Sequence, residues 1–546
     1  MFRTFARKFL PNPLDWKLKW ARRRKAEKVL LCWNRGLGDI PLGVAAIIHR
    51  IREYLPEAKI TVLTRENLRD GFALLPGIEV LVDPTWKRGS QCKAALHGFD
   101  LVIQKPSPSE WCRWQWKSFT PRLKWTATHE RPFDLPEGFT YIGVQAVAET
   151  NYGLWRNWPI ERWHQLFAML EKRPNVRILL FGFGDEPKFS HPNVIDLRGK
   201  TSLYELLSII KNRCTAVILP DSGILAMTYY LDVAFPIRVI SLFADPHHGI
   251  LKQGVPSPNP LLRHTSLVGA DRDLSTISAQ QVEAVLFPQA LTHCPHANSV
   301  SPKLIAGAAA VILAGGMGSR LGFAGPKGLY VVEGKTLFQH LLEKIPPGMP
   351  VAVMTSPLNH AETVAYFERN GYKAYFFQQP LIALLDESYR PVGEGPDGNG
   401  SIYASLVKSG ILEQWSEIDT LLISPIENPL ADPADAKLLT YHREKGADVT
   451  VKCTERKRGE SMGALTERGI VEYFDILDDN YAYSYVGQVA LATRFVREAA
   501  NRELPYHWVR KKGLWKREKL LFDAFSRIEA LCYDRQVCYA PVKGRI

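Results

Sequence analysis

The chain has 546 residues, 46% hydrophobic and 23% charged, the balance of an ordinary globular protein that is too long for one core, so about three or four domain-sized units are expected. A net charge of +13 favours anionic partners, yet no RNP motif, zinc-finger spacing or basic-aromatic repeat marks a nucleic-acid binder. No run of about 18 apolar residues exists to span a membrane, no signal-peptide core opens the chain, and eight cysteines without a CxxC read as reduced cytosolic thiols.

Residues 1–28 interleave Phe2, Phe5, Phe9, Leu14, Trp16, Leu18 and Trp20 with Arg and Lys, and only Asp15 and Glu27 are acidic. They read as a basic amphipathic arm, either peripheral on an anionic membrane or packed on the protein's own surface, with Pro11 and Pro13 breaking any long helix.

Residues 29–138 and 139–285 then read as two Rossmann-like units. In the first, the apolar run Val29–Trp33 feeds the loop Asn34-Arg35-Gly36-Leu37-Gly38-Asp39, and a helix is expected over Pro41–Tyr54. Strands are expected at Lys59–Leu63 and Asp100–Ile103. In the second, strands are expected at Tyr141–Val144, Val176–Phe181, Ala216–Pro220 and Arg238–Phe243, with a helix over Ile160–Lys172. The strand ending at Pro220 runs into Asp221-Ser222-Gly223. Residues 286–302 carry turn-formers and little periodicity and read as a linker with its boundary near Ser299. His293, Cys294 and His296 offer too few ligands for a metal site.

The last unit, 303–546, opens on the apolar run Ala310-Val311-Ile312-Leu313, followed by Ala314-Gly315-Gly316-Met317-Gly318-Ser319-Arg320 and then Pro326-Lys327. A buried strand feeding a glycine loop presents backbone N–H groups to a phosphate, and glycine lets the backbone come close. Arg320 and Lys327 add a planar fork and a flexible ammonium suited to a triphosphate. The spacing is neither a Walker A loop nor a dinucleotide fingerprint. Further along, a helix is expected at Asn359–Asn370 and a short strand at Tyr375–Gln379.

The string Leu-Ala-Gly-Gly-x-Gly-Ser-Arg-Leu-Gly with its following Pro-Lys-Gly closely resembles the nucleotide loop of UDP-sugar pyrophosphorylases, particularly the UDP-N-acetylglucosamine type. The resemblance implies a nucleotidyltransferase domain with a mixed, mainly parallel sheet. In it, Leu313, Ala314, Gly315, Gly316, Gly318 and Ser319 cradle the nucleotide and Gln379 reads uracil. The loop Gly395–Gly400, with Gly398 and Asn399, would close over base and sugar. It also implies Mg²⁺ as cofactor: the family's Val-Asp-Asn aspartate corresponds to Glu427, one bond longer, or in another register to Ser424, with Glu427 favoured. Gln488 stands where the family has an asparagine near the sugar. Lys511, Lys512 and Lys543, from segments resembling His-x-x-Lys-Lys-Lys and Ser-Pro-x-Lys, are candidates to screen the attacking phosphate, and Lys519–Phe525 matches the family's next helix. The chain stops at Ile546 where family members commonly continue, so either the C-terminal lobe is missing or the sequence is cut short.

Gly36-Leu37-Gly38-Asp39, Arg156-Asn157-Trp158-Pro159, Asp221-Ser222-Gly223 and Leu242-Phe243-Ala244-Asp245-Pro246 together resemble the heptosyltransferase family of glycosyltransferase family 9, over about residues 28–290. That resemblance implies a GT-B pair of acceptor and donor domains. Asp39 would be general base for the acceptor hydroxyl, Arg156 would meet donor phosphate where the family has lysine, and Asp221, Ser222 and Gly223 would hold the donor. Ala226 stands where the family has histidine.

The combined expectation is an α/β bifunctional protein. Its C-terminal uridylyltransferase would make UDP-N-acetylglucosamine or UDP-glucose and pyrophosphate from UTP and a sugar 1-phosphate. Its N-terminal transferase of envelope lipopolysaccharide or glycolipid synthesis would take a nucleotide-sugar donor and a glycolipid acceptor. The expected location is cytoplasmic, either free or peripheral on the inner face of the cytoplasmic membrane. The alternative is a non-catalytic nucleotide-sugar-binding scaffold.

Overall fold

The computed structural model describes residues 12–92, 97–148, 154–303, 305–386, 390–477, 479–511 and 513–542, and the chain divides into two compact units, Met1–Leu286 and Phe287–Ile546. The fold class is as expected, mixed α/β with parallel sheets.

The first unit opens on α1, Pro13–Arg23, with proline at its first turn and the Asn12 side chain accepting from Leu14 N. Leu14, Leu18 and Ala21 are fully buried and belong to the unit's main core. Asp15 accepts two hydrogen bonds from Arg50 at 2.8 and 2.9 Å. Thus residues 13–23 take the second course expected of the arm, packing on the protein itself, and Pro13 starts a helix rather than breaking one. The arm's residues 1–11 lie outside the described residues.

The first sheet is all parallel, with β1 (Lys28–Cys32), β2 (Lys59–Thr64), β3 (Ile78–Val82) and β4 (Leu101–Ile103) in the order β3-β2-β1-β4. The expected helix over Pro41–Tyr54 is split: a π turn, Ile40–Val44, precedes the α-helix Ala45–Tyr54. Gly43 abuts Pro108 there; a Cβ on it would lie 2.4 Å from the proline Cβ.

The second sheet has six parallel strands. Across it run Val194–Asp196, Val176–Leu180, Thr140–Val144, Cys214–Pro220, Ile237–Phe243 and Leu262–Val268. In chain order this is the doubly wound 3-2-1-4-5-6 arrangement, whose switch point lies between Thr140–Val144 and Cys214–Pro220. Both sheets therefore leave a crevice at the carboxyl end of their first strand, where ligands bind in such folds.

The second unit is built on a nine-stranded mixed sheet whose spine runs Tyr375–Gln378, Val351–Thr355, Ala308–Leu313, Thr420–Pro425, Tyr483–Ala492, Val449–Glu455 and Glu529–Cys532. Tyr483–Ala492 is antiparallel to both neighbours, and the other pairings along the spine are parallel. A separate antiparallel sheet joins Pro391–Pro396, Leu381–Leu385, Leu514–Glu518 and His507–Lys511. The stretch read as a linker is folded into this unit: Leu291 N donates to Leu465 O, Cys532 N donates to Pro295 O, and Cys294 is buried 3.5 Å from the Cys453 thiol. Turn-forming residues hid a segment that runs along the sheet and buries its apolar side chains there. The helix expected over Lys519–Phe525 is a single 3₁₀ turn, Leu521–Ala524.

Candidate functional site

In the second unit, Ala308–Leu313 is central and almost wholly buried, and its carboxyl end delivers the glycine loop. Asn359 shapes that loop, its Nδ2 donating to the carbonyls of Ala314 at 2.8 Å and Gly316 at 3.2 Å. Asn359 is itself pinned, its Oδ1 accepting from Ser356 N. Ala314 N donates to Met354 O at 2.8 Å and Gly318 N to Gly325 O at 2.9 Å, so the stretch whose N–H groups can meet a ligand is Gly315–Met317. Met317 bridges to Pro326, and Lys327 N donates to Gly316 O at 3.1 Å, so the segment carrying Lys327 folds back on the loop.

Two of the loop's glycines are sterically required. A Cβ on Gly315 would lie 1.7 Å from Gln379 Nε2, so the glutamine amide rests directly on the loop backbone. A Cβ on Gly318 would lie 2.7 Å from the Phe323 ring. Gln379 is 5% exposed, and its Oε1 has no hydrogen-bond partner among the described residues. Such a buried acceptor costs about 1–3 kcal/mol unless a ligand satisfies it. Asp397 repeats the pattern on the second glycine loop: it is buried, burial raises its pKa, and its Oδ1 has no partner among the described residues. Asp397 O accepts from Lys519 N, and Gly398, at φ +109°, leaves no room for a Cβ beside the Lys519 backbone. Asn399, expected at the nucleotide, accepts through Oδ1 from Leu521 N at 2.9 Å, which ties the second glycine loop to Leu521.

Lys327 Nζ donates to Glu427 Oε2 at 3.0 Å, which joins the loop to the end of the strand Thr420–Pro425. Ser424, the other register for a metal ligand, is fully buried with its hydroxyl accepting from Gln488 Nε2, which leaves Glu427 as the carboxylate beside the loop. Gln488 also donates to Asp432 O and accepts from Lys452, itself paired with Asp435 at 2.6 Å. Gln488 therefore sits inside a buried polar network. Among the described residues no group of three or more His, Cys, Asp or Glu side chains is arranged to hold a metal. A lone carboxylate fits Mg²⁺, which keeps water and substrate phosphates as most of its ligands. Lys512 and Lys543 lie outside the described residues, as do the side chains of Arg320 and Lys511.

In the first unit the loops at the two switch points meet. A Cβ on Gly38 would lie 3.2 Å from the Gly223 Cα. Asp39 Oδ2 accepts from Gly36 N at 3.0 Å; burial raises its pKa, opposed by that bond and by Arg35, Arg88 and Arg156. Asp221 pairs with Arg156 at 3.3 Å, and burial raises its pKa against the pull of Arg156 and His248. Arg156 lies over the Trp155 ring and 3.4 Å from His248 Nδ1. Ser222 caps the following helix through Leu225 N and donates to Gln145 Oε1 at 2.7 Å. Ala226 is buried inside that helix. Asp39, Arg156, Asp221, Ser222 and Gly223 thus come together. Trp155 and His248, and Asn359 in the second unit, lie in ordinary polar or aromatic stretches, and only their partners across the fold mark them; Asp397 falls in the second glycine loop, where its burial marks it.

Residues 270–470 match the protein family described as UTP--glucose-1-phosphate uridylyltransferase. The chain is 30% identical over 318 residues to a probable UDP-N-acetylglucosamine pyrophosphorylase of Schizosaccharomyces pombe, covering 43% of this chain and 66% of that protein. It is 28% identical over 305 residues to UDP-N-acetylglucosamine diphosphorylase 2 of Arabidopsis thaliana, covering 43% of this chain and 60% of that one. The chain thus spans less than two thirds of the length of these two relatives. The likeness of the C-terminal half to UDP-N-acetylglucosamine pyrophosphorylases is as expected. Among solved structures, the Trypanosoma brucei uridine diphosphate N-acetylglucosamine pyrophosphorylase is similar at 28% identity and TM-score 0.39, over 44% of this chain and 62% of that one. The Escherichia coli ADP-heptose lps heptosyltransferase II is similar at 15% identity and TM-score 0.31, over 47% of this chain and 96% of that one.

Proposed function

We propose that the second unit is a uridylyltransferase that joins UTP and a sugar 1-phosphate into a UDP-sugar, UDP-N-acetylglucosamine or UDP-glucose, and releases pyrophosphate. The observation that carries this is the glycine loop with Gln379 resting on Gly315 and, beside the next residue Gly316, Lys327 paired with Glu427. A uracil edge and a phosphate chain could then lie along one loop. The phosphate oxygen of the sugar 1-phosphate attacks the α-phosphorus of UTP, the bond to the β-phosphate oxygen breaks, and pyrophosphate leaves. The protein's part is positioning and charge neutralisation. Gln379 would pair with the base, Lys327 with the phosphates, and Glu427 would hold Mg²⁺. The ion, when bound, supplies charge neutralisation between phosphates. Arg320 and one of Lys511, Lys512 or Lys543 would add cationic contacts.

For the first unit we propose glycosyl transfer from a nucleotide sugar to a hydroxyl acceptor of glycolipid type. Asp39 lies beside the Asp221 loop, and burial holds its carboxyl above the usual range, toward that of a working base. Arg156 would neutralise the departing nucleotide diphosphate.

The decisive experiment incubates the full chain with UTP, Mg²⁺ and a panel of sugar 1-phosphates and follows pyrophosphate. Release dependent on both UTP and one sugar phosphate supports the reading. No release with any of them, from folded protein, overturns it.

A further inference from the structure

The two aromatic residues of α1 face away from the core that the same helix helps to build. Leu14, Leu18 and Ala21, spaced i, i+4, i+7, are buried. Trp16, Trp20 and Arg23 repeat that spacing two residues later, about 200° around the helix, and so lie on the opposite side. Trp16 is 69% exposed and Trp20 42%. Lys17, Lys19 and Arg24 are exposed around them, and Arg24 lies over the Trp20 ring at 3.9 Å. The single carboxylate of the helix, Asp15, is bound by Arg50. Among the described residues no ion pair engages Lys17, Lys19, Arg23 or Arg24, so the outer face carries two indoles in a field of cations.

We propose that this outer face of α1 docks the protein on an anionic lipid bilayer, lying parallel to the surface. Indoles are at home among lipid headgroups, where the ring meets acyl chain and the N–H meets water. Lysine and arginine beside them gain about 1 kcal/mol each from an anionic surface. A helix attached by one side presents a ridge, which suits a flat bilayer and offers no groove to follow a nucleic-acid strand. Among the described residues no helix is long and apolar enough to cross a membrane, so the contact is peripheral. Because Leu14 and Leu18 are core residues, deleting the whole N-terminus would test folding rather than docking.

The test uses the full chain and sedimentation with vesicles of phosphatidylcholine alone or mixed with phosphatidylglycerol. Binding is expected only to the anionic vesicles and is expected to fall as salt is added. The exposed-face variants Trp16→Ser with Trp20→Ser, and Lys19→Glu with Arg23→Glu, should each bind at least about tenfold more weakly with unchanged circular dichroism. Wild-type binding by both variants, equal binding to neutral vesicles, no binding at all, or displacement from anionic vesicles by a short oligonucleotide would each overturn the proposal.

Discussion

Lys327 Nζ donates a hydrogen bond to Glu427 Oε2 at 3.0 Å, across 100 positions of the chain, and both side chains are largely shielded from solvent, at 16% and 28% exposure. The pair brings a cation and a carboxylate to the same end of the glycine loop. Lys327→Ala is expected to lower UTP-dependent pyrophosphate release at least about tenfold, since one charge-assisted contact is worth ~1.5–3 kcal/mol. Glu427→Gln is expected to raise the Mg²⁺ concentration needed for half-maximal rate. Steady-state rates across an Mg²⁺ titration check both, and an unchanged rate in Lys327→Ala would remove the lysine from the phosphate site.

Gln379 offers an Oε1 without a partner among the described residues and an amide nitrogen pressed on Gly315. Gln379→Leu should erode the preference for UTP over CTP, because a site built to hydrogen-bond a base edge loses its discrimination with the amide. Gly315→Ala should do so as well, by forcing the amide off the loop. Competition between the two nucleotides measures the ratio; a preserved ratio in Gln379→Leu would mean that uracil is read elsewhere.

Asp39→Asn should abolish glycosyl transfer while leaving nucleotide-sugar binding nearly intact, since a base is needed only when the acceptor hydroxyl loses its proton. The carboxyl works ionised, and its pKa is raised by burial, so the acid limb of the transfer rate should lie above the ordinary carboxylate range. Titration of the full chain with UDP- and ADP-sugars, beside a pH–rate profile, checks both points. Transfer that survives in the asparagine variant would assign the base to another group.

His264 in the first unit and His442 in the second are each held neutral by burial, with pKa lowered from 6.5 to about 4. A histidine with a depressed folded pKa contributes its full stability above the unfolded value and loses it as pH falls toward the folded value. Between pH 7 and pH 5 each should lower the stability of its unit by about 2 kcal/mol. Thermal unfolding at the two pH values, in the native chain and in His442→Gln, tests this. The variant should show a smaller drop for the second unit; an equal drop would assign the acid sensitivity to other groups.

The sequence by itself determined the local pieces: apolar runs such as Ala308–Leu313 and Val176–Leu180, and the glycine and aspartate turns at their carboxyl ends. Those signals are local, because β-branched runs, turn residues and helical spacing act over a few neighbours. Tertiary structure alone decided which groups face each other. It set Lys327 against Glu427, rested Gln379 on Gly315, turned Asn359 onto the loop carbonyls, and used Asn399 and Gln488 for internal hydrogen bonds. It also folded 287–302 into the second unit and split the apolar residues of α1 into a buried leucine face and an exposed tryptophan face. The reason is that periodicity marks which residues share a side, whereas burial and hydrogen-bond partnership depend on elements brought together from distant parts of the chain.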